Sequence, residues 1–118
     1  VPSFGPNNQP IYGEAITLAA SGTRTAAGNG GSRATRENST LRLALVVTAA
    51  TGTTPTLNVT VEHSSDGTTW TELGTFPQVT AAGTTRKTLG GADNYVRAVW
   101  AVAGTNPSFT FSVTGAAV

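Results

Sequence analysis

From residue 57 the chain alternates. Leu57, Val59 and Val61 are apolar, while Asn58, Thr60 and Glu62 are polar. A period of two places the first set on one face of a β-strand and the second on the other, the pattern of a strand half in a core and half in water. The polar run Ser64-Ser65-Asp66-Gly67 follows, and then Trp70, Leu73 and Phe76. The segment 57–76 therefore reads as a β-hairpin whose second strand opens on Trp70. The same alternation marks 14–20, where Ile16 and Leu18 oppose Ala15, Thr17 and Ala19. It is stronger at 40–49, where Leu41, Leu43, Leu45 and Val47 oppose Arg42, Ala44, Val46 and Thr48. Residues 95–102 are apolar on both faces except for Arg97, which predicts a buried strand. A last strand sets Phe109, Phe111 and Val113 against Ser108, Thr110, Ser112 and Thr114.

Turn signals separate these runs. Thr51 to Pro55, Ala82-Gly83, Gly90 to Asn94 and Gly104 to Pro107 each combine Gly, Pro or Asn in the way turns require, and Pro77 ends the strand before it. Residues 21–39 form a long polar connection, and Gly28 to Gly31 within it reads as flexible loop. Seven to eight short strands spaced by turns predict an all-β chain, an antiparallel β-sandwich or jelly-roll-like domain over 14–118. No segment has a helical period, and no internal repeat of fixed period is evident. Residues 1–13 hold three prolines and two glycines, so they read as an extended N-terminal arm with Phe4, Ile11 and Tyr12 as apolar anchors.

Composition narrows the functional classes. The 118 residues suffice for one domain and contain no cysteine, which leaves no disulfide and no thiolate metal site. Seven Lys/Arg against six Asp/Glu give a net charge of +1, without the basic surplus of a protein that neutralises phosphates. Nucleic acid is therefore not expected as a partner. Nor is a membrane, because no apolar run approaches the ~20 residues of a spanning helix. A secretory signal is not expected either. The start at Val1 fits removal of an initiator Met or of a longer leader. Thr, Ala and Gly with few charges suit an extracellular or virion β-protein better than a cytosolic enzyme.

Candidate chemistry is thin. His63 is the sole histidine, and no GxSxG elbow supplies a nucleophile for it. Glu62 and Glu72 lie on the two arms of the hairpin and could approach as a glycosidase pair. Solvated surface glutamates account for them better. One His and scattered carboxylates make no zinc or calcium set, and no cofactor is expected. Asp66-Gly67 fits turn geometry. Gly28 to Gly31 lacks the residues of a phosphate loop. Trp70, at a strand start, is a possible sugar platform, and Trp100 belongs in the core. Arg24, Arg33 and Arg36 in the polar connection could dock on an acidic protein surface, or simply be solvated.

The sequence Val61-Glu62-His63-Ser64-Ser65-Asp66-Gly67-Thr68-Thr69-Trp70, with Leu73 and Phe76 behind it, resembles the SxDGxxW hairpin of phage virion β-sandwiches. There it is followed by a YVRA strand, here Tyr95 to Ala98, and Pro107 to Val113 (PSFTFSV) closes the domain. The resemblance runs roughly from Leu41 to Gly115. Discoidin-like and carbohydrate-binding sandwiches use a similar hairpin. What it implies is a non-enzymatic structural protein of a tailed bacteriophage, most like a capsid decoration (cement) protein. It would be made in the host cytoplasm and bound to the outer capsid surface. The implied partners are the major capsid protein and other copies of the chain, as a homotrimer. The expected contact residues are Phe4, Pro6, Pro10, Ile11 and Tyr12 of the arm, with Arg24, Arg33 and Arg36 of the loop. A phage tail or baseplate component and a carbohydrate-binding module are the alternatives.

Overall fold

The structure, a computed structural model, describes residues 14–117. The arm residues Phe4, Pro6, Pro10, Ile11 and Tyr12 lie outside them. The described residues form seven strands in chain order: β1 (Glu14–Arg24), β2 (Gly28–Asn29), β3 (Arg33–Ala34), β4 (Ser39–Ser64), β5 (Thr71–Thr75), β6 (Gly83–Ala92) and β7 (Tyr95–Ala117). Every pairing is antiparallel, and no helix occurs among the described residues. The all-β antiparallel expectation is met.

The alternating residues form the core that their period demands. Leu41, Leu43, Leu45, Val47, Leu57, Val59 and Val61 of β4 are buried, as are Val96, Ala98, Trp100, Phe109, Phe111 and Val113 of β7. In β1, Ile16 and Leu18 are buried as expected, but so is Ala19, because the register slips between Thr17 and Ala19. A bulge of this kind turns two neighbouring side chains toward one face.

The main departure concerns the two expected turns at 51–55 and 104–107. Neither reverses the chain. Four of the expected strands are instead halves of two long ones, and β4 pairs with β7 from Leu41–Ala117 to Ser64–Tyr95. The turn residues are present, but they face one another across the ladder. Thr51 pairs with Ser108, Thr53 with Thr105 and Thr56 with Ala103. Gly52 and Thr54 have φ of 114° and 47°, and Gly104 and Asn106 have φ of 123° and 49°. Matched irregularities on both strands bend the ribbon and leave it paired.

Those bends repeat. Gly52-Thr53-Thr54-Pro55-Thr56 corresponds to Gly104-Thr105-Asn106-Pro107-Ser108. Each glycine lies on the other strand's backbone. A Cβ at Gly52 would stand 2.7 Å from the Asn106 carbonyl oxygen, and one at Gly104 would stand 2.8 Å from that of Thr54. The β4–β7 ribbon thus has a local two-fold relation centred on the Thr53–Thr105 pair. This internal correspondence was not expected from the sequence, because the flanking segments share only an apolar pattern.

The bent ribbon closes on itself. A straight strand would hold residues 100 and 111 roughly 36 Å apart at about 3.3 Å per residue. The Trp100 and Phe111 rings instead meet edge to face with centroids 5.4 Å apart. One layer of the resulting sandwich has the order β1, β7 (109–117), β4 (41–47), β6. The other has β2 and β3, β7 (95–100), β4 (57–64), β5.

The polar connection is also shorter than expected. β1 runs through to Arg24, and β2 and β3 pair with Trp100–Val99 and Val96–Tyr95. Gly28 to Gly31 packs tightly rather than forming a flexible loop. Gly30 donates its N–H to the Ala98 carbonyl at 3.0 Å, and a Cβ there would overlap the Leu18 carbonyl oxygen. A Cβ at Gly28 would press on the Trp100 indole at 3.3 Å.

Candidate functional site

The hairpin concentrates the polar chemistry. Its turn runs from Ser64 to Thr69, and β5 opens at Thr71, one residue after the expected Trp70. The Ser64 hydroxyl donates to Asp66 Oδ1 at 2.8 Å and accepts the N–H groups of Asp66 and Gly67. Asp66 Oδ1 also accepts the N–H groups of Thr68 and Thr69 at 2.8 and 2.9 Å. These donors favour the charged carboxylate and pull its pKa from 3.8 to about 2. Gly67 takes the positive φ of 77° that the turn needs. The Ser-Ser-Asp-Gly run is therefore a self-capped turn, and its serine hydroxyl serves Asp66 rather than His63.

His63 is half-buried, and its Nδ1 accepts the Asp93 N–H at 3.2 Å. An accepting Nδ1 leaves the neutral ring's proton on Nε2. That bond ties the end of β4 to the loop entering β7. Glu62 and Glu72 pair directly across β4 and β5. Glu62 Oε1 is held by Arg97, 2.8 Å from Nε and 2.7 Å from Nη2. The same guanidinium lies 4.3 Å over the Trp70 ring. One indole face is thus occupied by Arg97, which removes it as a stacking surface for a sugar. Trp100 is buried, as its strand predicted.

The three arginines assigned to the polar connection separate by role. Arg24 closes β1 and belongs to the fold. Its guanidinium lies 4.6 Å over Trp100 and 4.4 Å over Phe111, and it donates to the carbonyls of Ala20, Gly22 and Phe111 at 2.6, 3.1 and 2.7 Å. Partial burial lowers its pKa. Arg33, on β3, and Arg36, before β4, are exposed, and Arg33 bonds the Ser32 carbonyl.

Three surface grooves among the described residues bear on the candidate side chains. One of about 220 Å³ lies between the edges of β1 and β3, lined by Ile16, Thr17, Arg33, Ala34 and Thr35 among others. A second, of about 320 Å³, lies at Glu37, Asn38 and Gly91 to Asp93. The third, about 370 Å³, runs across β4, β6 and β7, and Arg42, Arg86, Thr88 and Thr114 share its outward face, whereas Lys87 pairs with buried Leu43 and lies on the other face. Neither Glu62 nor Glu72 lines any of the three. Among the described residues no three His, Cys, Asp or Glu side chains come together as a metal set. The basic groove was not foreseen. Arg42 and Arg86 fall on the outer face of an alternating pattern, but only the β4–β6 pairing reveals that they are neighbours. Comparison with family models, curated proteins and solved structures returns no match to this chain.

Proposed function

We propose that the chain is a non-enzymatic structural protein of a bacteriophage particle, a decoration protein that binds the outer capsid surface and stabilises the shell. The observation that carries this reading is the position of β1. It is the edge strand of its layer, and the proline-rich segment 1–13 leads directly into it. An edge strand exposes unpaired backbone groups, and a segment attached to it can reach a neighbouring subunit and add to a sheet there. Prolines in that segment reduce the entropy lost on docking. Many weak contacts in a symmetric lattice then reinforce one another. The side chains with chemical potential support a binding role: the Ser64, Asp66, His63, Arg97 and Glu62 groups are each committed to partners within the fold.

Deleting residues 1–12 tests this. The truncated chain is expected to keep its β-sheet circular dichroism and to lose binding to capsids in co-sedimentation. Unchanged capsid affinity would overturn the reading. A tail or baseplate component is the second form of the same reading, and gold labelling of particles separates head from tail.

A further inference from the structure

The groove across β6, β4 and β7 has a layout fixed by register. On its outward face one row reads Thr88–Arg42–Ala116 and the next reads Arg86–Ala44–Thr114. Arg42 and Arg86 are therefore diagonal cross-strand neighbours, roughly 7–8 Å apart and within reach of each other's long side chains. Ala44 and Ala116 are short, so the floor between the arginines and the two threonines is hollow. The row beyond, Thr84–Val46–Ser112, carries no carboxylate either.

The polar groups here are uncommitted. Arg24, Arg33 and Arg97 each hold a carbonyl or a carboxylate of the fold, whereas exposed Arg42 and Arg86 hold neither among the described residues. Elsewhere threonine hydroxyls pair, Thr23 with Thr110 at 2.8 Å and Thr60 with Thr75 at 3.2 Å. Those of Thr88 and Thr114 have no such partner among the described residues. A cation on an open edge such as β6 protects it from pairing, which accounts for Arg86 alone. Arg42 lies inside the sheet, between β6 and β7, where edge protection does not explain it. Two like charges placed this close repel, and an anion between them turns that repulsion into attraction.

We propose that Arg42, Arg86, Thr88 and Thr114 form a binding site for a single tetrahedral oxyanion, phosphate or sulfate, free or as a small monoester. Guanidinium groups match such an ion because their planar forks donate two hydrogen bonds at once. Two arginines and two hydroxyls, converging from three strands, suit an ion with four oxygens better than a carboxylate with two. The net charge of +1 disfavours a long polyphosphate surface but does not bear on one ion held locally. The ion would also have a structural effect. β6 is the edge of its layer and pairs with β4, and an anion clamped across β6, β4 and β7 ties that edge down. A ligand that binds only the folded sheet raises its stability. The site is independent of the capsid reading.

The test titrates inorganic phosphate into the purified full chain and follows amide and arginine Nε–H resonances at constant ionic strength. Saturable shifts are expected at Arg42, Arg86, Thr114 and Gly115, with acetate binding more weakly. Glucose 1-phosphate, titrated alongside, tells a monoester from the free ion, and either preference supports the site. Arg42→Gln and Arg86→Gln, both at exposed positions, should each weaken phosphate binding by roughly tenfold or more with circular dichroism unchanged. Arg42→Lys keeps the charge but not the fork and should weaken it less. Arg36→Gln, at an exposed arginine outside the groove, should leave it intact. Thermal melts give a second readout. Phosphate and sulfate stabilise folded proteins generally, so the site's share is the extra rise in wild type over Arg42→Gln. Shifts that grow linearly without saturating would overturn the proposal. So would equal affinity in both glutamine variants, or acetate binding as tightly as phosphate.

Discussion

Asp66 shows how a residue that attracts attention as chemistry can be wholly occupied by structure. Its carboxylate takes two backbone N–H groups and the Ser64 hydroxyl, and these hold its pKa near about 2. A carboxyl whose pKa is depressed by folding binds its proton less readily in the folded state than in the unfolded chain. Its contribution to stability is therefore complete above the unfolded value of 3.8 and disappears as pH falls through about 2. Thermal melts of wild type and Asp66→Ala should differ most at neutral pH, and the gap should close between about pH 4 and pH 2. A gap that persisted below pH 2 would show that the carboxylate charge is irrelevant to the turn. The sequence revealed this turn because Asp-Gly geometry is local. It did not reveal Arg24, placed in a loop by its polar neighbours, since only the folded chain brings Trp100 and Phe111 under its guanidinium.

At the scale of the element, the bends in β4 and β7 are the feature that local reasoning misread. Gly, Thr and Pro in sequence signal a chain reversal, and 51–55 and 104–107 carry that signal. Whether such a segment reverses or merely bends depends on what lies across from it, and here each bend faces the other. The alternation of Leu41 to Val47 and of Leu57 to Val61 was legible on either side, so the core was read correctly while the connectivity was not. Gly52 and Gly104 hold the crossing. Both have φ values that side chains rarely adopt, and both sit against the opposing carbonyls. Gly52→Ala and Gly104→Ala should each destabilise by roughly 1–3 kcal/mol in urea unfolding. Because the two glycines share one crossing, the double variant should depart from the sum of the single effects by about 0.5 kcal/mol or more. Strict additivity would mean that the bends are independent.

Across the whole molecule, charge is sparse but not evenly spread. Arg42 and Arg86 share one groove, whereas Glu62, Asp66 and Glu72 belong to the hairpin. A balanced total conceals this division, because composition sums over surfaces that only folding separates. The fold class was legible because period-two patterning depends on each strand alone. The groove was not, because it depends on which strands are neighbours.

The β4–β7 ladder has a further consequence, for the order of events in folding. It joins Leu41 to Ala117 at one end and Ser64 to Tyr95 at the other, so its central pairings depend on residues far apart in the chain. Neither layer holds a self-contained hairpin core, since each takes one strand from β4 and one from β7. The search for this register must precede most of the reward for finding it, which places the chain among slow, topology-limited folders. Refolding from urea should take milliseconds to seconds, roughly the range of β-sandwiches. Fragments ending before β7 should stay unstructured and prone to associate through the unpaired edges of β4.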